Sequence, residues 1–186
     1  MKQPSPWRNR DCWEGITISD LKELLHWQPA EDGMKDEIFR QYRTCAAHKE
    51  SHTGWDDQYP GIEELEGDLA AGGLLVALLD GCIAATMTVL PAAGHAEEAF
   101  FTPRKNPAYL CRFGLNPALQ GHGLGRAMMG KTLAWCREHG YDGVRFFAES
   151  NNVLTLHLYE SMGFTRFPSI PSDDDSWTEV PFEMLF

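Results

Sequence analysis

The chain has 186 residues, 43% of them hydrophobic and 23% charged, which fits one soluble domain over 1–186 and excludes wholesale disorder. Its 16 basic and 27 acidic side chains give a formal charge of −11, a field that repels nucleic acid and anionic lipid, so neither is an expected partner. No apolar run reaches the roughly 20 residues that cross a bilayer, and MKQPSPWRNRDCW lacks the apolar core of a signal peptide.

Residues 1–12 read as a loose lead-in. Ser19 then offers a cap for DLKELLHW, where Leu21, Leu24 and Leu25 share a face, so a helix is predicted over 20–27 and broken by Pro29. A second helix covers 35–49, with Ile38, Tyr42 and Cys45 on one side. SHTGWDDQYPG is a polar loop holding two aromatics, and GIEELEGDLAAGG is a short helix stopped by glycines.

The period then changes. LLVALLDGCIAATMTVL is two apolar runs joined by Asp80-Gly81, a pair that accepts positive φ at low cost, which predicts a tight hairpin. Residues 91–108, punctuated by prolines, form a long connection. YLCRFGLNP (109–117) is a strand ended by Pro117, and 124–139 is a helix ended by Gly140. VRFFAE (144–149) is a buried strand, and VLTLHLYESM (153–162) is a helix ended by Gly163. SDDDS is a turn and VPFEMLF a final strand. The predicted class is mixed α/β (α+β), with a sheet that is antiparallel early and carries a parallel pair later.

Cys12, Cys45, Cys82, Cys111 and Cys136 are odd in number and form no CxxC pair. That pattern gives neither a disulfide framework nor a zinc knuckle, and points to reduced thiols in the cytoplasm. The histidines form no ligand pattern, so no metal is expected.

The most informative stretch is Leu115-Asn116-Pro117-Ala118-Leu119-Gln120-Gly121-His122-Gly123-Leu124-Gly125-Arg126. A strand runs into a glycine-rich turn that opens directly into a helix. Three glycines at alternate positions let a ligand approach the main chain closely. Several N–H groups then converge at a helix N-terminus, where the dipole adds about half a positive charge, making a site for a phosphate or diphosphate. The glycine spacing departs from the dinucleotide fingerprint, and the Gly-Lys-Ser/Thr of a nucleoside triphosphate loop is absent. A dehydrogenase also needs an acidic ribose-binding residue after a second strand, which is missing at the expected interval.

Gln120-x-x-Gly123-x-Gly125 after a strand resembles the diphosphate loop of the GCN5-related N-acetyltransferase (GNAT) superfamily. Asn152, followed seven residues later by Tyr159 and then by Gly163-Phe164, resembles that superfamily's second signature. The resemblance covers 109–164 best and extends to the hairpin and its lead-in over 61–90. It implies a mostly antiparallel central sheet flanked by helices and splayed at the parallel pair near 109–116 and 144–149.

It also implies acetyl-coenzyme A (acetyl-CoA) as donor. The diphosphate would rest on the amides of Gly121, His122, Gly123, Leu124, Gly125 and Arg126, with the Arg126 cation toward the 3′-phosphate. The pantetheine would run along the main chain of Phe113 and Leu115 as an added strand, hydrogen-bonded by Asn152. Gln120 would close the loop or touch the arm. Asn152 also reads, from its position, as the cap of the following helix.

The implied reaction is direct transfer to an amine in a ternary complex. Tyr159 is the candidate acid for the leaving thiolate, since a phenol pKa near 10 suits that role, and a main-chain N–H near Leu115 would steady the oxyanion. Many family members carry a Glu or His base on the strand before the loop. Strand alternation places Tyr109, Cys111, Phe113 and Leu115 on one face here, so that strand offers only Tyr109 and Cys111. Glu149, or Glu97, Glu98 or His95 on the connection, are the candidate bases, and Cys111 is a weaker candidate nucleophile. Trp55, Asp56, Asp57 and Tyr59 are candidates for the acceptor wall, where rings and carboxylates suit a cationic amine. The expected partner is a small-molecule amine or a peptide, and dimers recur in the family. The rival from another class is an acyl-CoA sensor or interaction domain without catalysis.

Overall fold

The computed structural model describes residues 25–48, 54–91, 100–171 and 177–186. Much of the helix expected over 20–27 lies outside them, as do the 1–12 lead-in, the SDDDS turn, His95, Glu97 and Glu98. The end of that helix is corrected. His26–Pro29 is a strand, β1, paired antiparallel with residues 75–78 of the hairpin. The open edge of the hairpin needs main-chain partners, and an extended HWQP supplies them.

Helix α1 is Lys35–Ala46 and α2 is Ile62–Ala70. The hairpin follows as β2 (Leu74–Leu79) and β3 (Cys82–Pro91), with Asp80 at φ 49° and Gly81 at 77°, as the Asp-Gly pair predicts. Then come β4 (Ala108–Leu115), α3 (Leu124–Glu138), β5 (Gly143–Glu149) and α4 (Val153–Ser161). Short β6 (Thr165–Arg166) and β7 (Ile170–Pro171) precede β8 (Thr178–Leu185). The sheet runs β1-β2-β3-β4-β5-β8-β6, with β7 on β8, and among the described residues only the β4–β5 pair is parallel.

Helices cover both faces. Ile38 and Tyr42 of α1 and Leu65 of α2 pack on Leu74, Val76 and Ile83. On the other face Met129 and Leu133 of α3 and Leu156 and Tyr159 of α4 pack on Leu110, Val144, Phe146 and Phe182. Burial on both sides explains why the hairpin reads as continuous apolar runs instead of alternating ones.

Two irregularities in β4 create the cleft. First, its register with β3 passes from Thr88 opposite Cys111 to Thr86 opposite Gly114, so Arg112 and Phe113 together face Met87. This is a β-bulge, and Arg112 sits at φ 51° within it. One inserted residue reverses the period of two. Tyr109, Cys111 and Gly114 therefore share the α1–α2 face, while Phe113 and Leu115 turn toward the core under α3. This corrects the single shared face expected from alternation. Second, β4 pairs with β5 only at Ala108–Val144 and Tyr109–Arg145. Beyond these the strands diverge, as the splayed pair was expected to do.

Candidate active site

The divergence of β4 and β5 opens a cleft of about 630 Å³ that passes between the two faces of the sheet. On the α3–α4 side it ends at the glycine turn. Asn116 accepts a hydrogen bond from the Ala118 amide at 3.1 Å, and the Gln120 side chain donates to the Leu115 carbonyl at 3.4 Å, so Gln120 closes the loop. Gly121 stands at φ 81° and Gly123, the N-cap of α3, at 74°. No side chain caps α3 and no acidic residue lies in its first turn. Its leading N–H groups are thus left for a ligand.

Around that turn the expected residues divide by role. Leu124 is buried in the core, so only its amide is offered, and His122 is exposed on the turn outside the cleft lining. Gly125 lies where a Cβ would touch Leu158 at 3.5 Å and Phe113 at 3.9 Å. Arg126 borders the cleft and donates to the Ser161 carbonyl at 3.3 Å and to its hydroxyl, tying α3 to the end of α4. Asn152 caps α4 by accepting from the Thr155 amide at 3.2 Å and also lines the cleft.

Tyr159 is 5% exposed and reaches the cleft wall between Phe146 (4.5 Å between ring centroids) and Phe182 (5.3 Å). Burial pushes its phenol well above the ordinary range, so it is a neutral donor at physiological pH.

The other side of the cleft is walled by the segment 54–60. Trp55 stacks edge-on against Tyr42 at 5.3 Å and lies over Gly114, where a Cβ would stand 2.7 Å from the indole. Arg43 of α1 donates to the carbonyls of Asp56, at 2.9 Å, and of Pro60. Asp56 does not line the cleft. It accepts from the amides of Gln58 and Tyr59, each at 2.7 Å, which holds its carboxyl below the usual range. Asp57 is exposed outside the lining as well. Neither side chain reaches the cleft lining, and Asp56 instead bonds the local main chain, as a short side chain at a turn does first.

Trp55, Tyr59, Tyr109, Cys111 and Glu149 do meet in the cleft. Burial pushes the Cys111 thiol up to about 11, so it remains protonated at neutral pH and offers no thiolate. Glu149 accepts from the Gly54 amide, which bridges the 54–60 segment to β5.

Sequence reasoning missed Glu179, which stands opposite Glu149 in the β5–β8 pairing and lines the same wall beside Trp177. It precedes the apolar run read as the last strand, and only the pairing brings it to Glu149. Burial, reinforced by the charges of Cys111 and Glu179, raises the Tyr109 phenol. Asp68 and Arg112, also missed, form an ion pair behind this wall. Among the described residues no His, Cys, Asp and Glu group is placed to hold a metal ion, and no helix is long and apolar enough to cross a membrane.

Comparison with known proteins gives a consistent result. The family described as the acetyltransferase (GNAT) family matches residues 33–164. The mycothiol acetyltransferase of Rhodococcus erythropolis is 28% identical over 154 residues, covering 83% of this chain and 48% of that protein. The chain spans about half the length of that relative. A GNAT-family acetyltransferase structure from Streptococcus agalactiae superposes with a TM-score of 0.69 at 15% identity, covering 87% of this chain and 95% of that one. The yncA structure from Salmonella typhimurium, solved with its cofactor acetyl-CoA, gives 0.66 at 19% identity over 87% of this chain and 94% of that one. These likenesses support the fold.

Proposed function

The chain belongs to the acetyltransferase (GNAT) family, and on that premise we propose that it transfers the acetyl group of acetyl-CoA to a primary amine of a small molecule or peptide. The observation that carries this reading is the uncapped N-terminus of α3, led by Gly121 and Gly123 at positive φ and opening into a cleft with Tyr159 in its wall.

The residues fit the donor. Converging amides over 121–126 suit a diphosphate. Past Tyr109 the main chain of β4 has no pairing with β5, so Phe113 and Leu115 lie on a strand edge that an extended pantetheine arm can join, with Asn152 beside it. The amine attacks the thioester carbonyl while both reactants are held in one cleft. A β4 amide near Leu115 steadies the developing oxyanion. Tyr159, neutral and buried, gives its proton to the departing thiolate and regains one from the nitrogen, which sheds its second proton as the amide forms. Glu149 takes the proton of the acceptor ammonium from the other wall, where Trp55, Tyr59, Tyr109 and Cys111 shape the space. None of the four described cysteines is in a disulfide, which supports a reducing, cytoplasmic setting.

The test is thiol release from acetyl-CoA over a panel of primary amines. The expected result is release that depends on at least one amine. A chain that binds coenzyme A yet releases no thiol with any amine is a sensor, and the proposal fails.

A further inference from the structure

Two described residues other than glycine have positive φ. Asp80 is in a hairpin turn that requires it, whereas Arg112, at 51°, is inside a strand. A side-chain-bearing residue holds that conformation only where its surroundings over-determine it.

The surroundings do so through Asp68 of α2, which is 3% exposed. Arg112 Nε donates to Asp68 Oδ2 at 2.6 Å and Nη2 donates to Oδ1. The Thr88 hydroxyl of β3 donates to the same Oδ2 at 2.6 Å. The remaining arm, Nη1, reaches the Tyr59 hydroxyl at 3.4 Å. One guanidinium thus joins α2, the β4 bulge and the acceptor wall, a three-way grip that needs the planar fork of arginine.

We propose that Arg112, clamped by Asp68, is a positioning residue for the acceptor amine: it locks the bulge at which β4 passes from the acceptor face to the cofactor face, and it fixes Tyr59 in the acceptor wall. The inference rests on the acetyl transfer proposed above. Arg43 already holds the main chain of this wall through the Asp56 and Pro60 carbonyls. Loss of Arg112 therefore leaves the segment in place and frees the Tyr59 side chain and the acceptor-facing residues of β4. The glycine turn, built on α3, keeps its grip on the donor.

The experiment replaces both partners, Arg112→Gly with Asp68→Asn. Glycine accepts the positive φ, and the asparagine avoids leaving a buried carboxylate without its cation. The acceptor KM is expected to rise about tenfold, with kcat and the coenzyme A Kd within about twofold of wild type. Arg112→Lys, which keeps the charge and loses the fork, is expected to raise the acceptor KM as well. Amide exchange over 110–114, at the bulge, is expected to quicken about fivefold in the double variant, with no change over 121–128.

An acceptor KM equal to wild type in the folded double variant overturns the proposal, as does a loss of coenzyme A affinity as large as the loss for acceptor. If the double variant does not fold, Tyr59→Phe removes only the hydroxyl at the end of the grip. An acceptor KM raised about threefold then supports the proposal and an unchanged one overturns it. A wild-type chain that acetylates no amine sinks the proposed transfer alone. The exchange comparison between wild type and variant still reads the grip, and equal rates over 110–114 overturn it.

Discussion

The half of the cleft proposed for the donor comes from one stretch of chain, Ala108 to Gly163, whereas the half proposed for the acceptor adds Gly54, Trp55, Tyr59 and Glu179 from distant parts of the chain to Cys111 and Glu149. The donor half offers main-chain N–H groups, presented by positive-φ glycines and an uncapped helix end. The acceptor half offers side chains, held by contacts distant in sequence: Arg112 to Asp68, Glu149 to Gly54, Trp55 against Gly114. A main-chain site leaves a dense local signature. A side-chain site leaves scattered residues that mean nothing until the fold assembles them.

If the division is real, changes in one half spare the other. The largest effect is expected at Gly123. A valine there opposes φ 74° and blocks the approach to the amides, so the coenzyme A Kd should weaken about 100-fold or more in calorimetry. Unchanged binding would break the donor half as described. Tyr159→Phe should lower kcat about 100-fold with coenzyme A affinity within about twofold. A wild-type rate would remove the acid role.

Gly114→Ala sharpens the comparison from the other side. Its Cβ would stand 2.7 Å from the Trp55 indole, so the ring must move. The acceptor KM should rise about fivefold while donor binding holds. Equal effects on both substrates would erase the boundary between halves.

The smallest effect concerns pH and lies in neither half. Burial pushes the Cys136 thiol from its ordinary value near 9 up to about 12. The folded form therefore favours the protonated thiol. That contribution is whole below pH 9 and fades as pH rises toward 12. The melting temperature of Cys136→Ala should then fall less between pH 8 and about 10.5 than that of the wild type. Parallel curves would contradict the assignment.

Legibility followed the same boundary. The Asp80-Gly81 hairpin, the helices ended by Gly140 and Gly163 and the turn at 121–125 were readable because local chemistry decides them. The strand at His26–Pro29 was not, because only the edge of β2 makes it extended. The bulge was hidden too. Nothing in YLCRFGL asks for positive φ at Arg112, and the demand comes from Asp68, 44 residues earlier. That one residue reversed which side chains of β4 face which half. Glu179 was invisible until β8 paired with β5.

The most direct test is a crystal structure with acetyl-CoA bound. The account predicts the diphosphate on the amides of 121–126, the arm along the open edge of β4, and the thioester between β4 and β5 beside Tyr159. A ligand seated elsewhere, with that turn untouched, would contradict it.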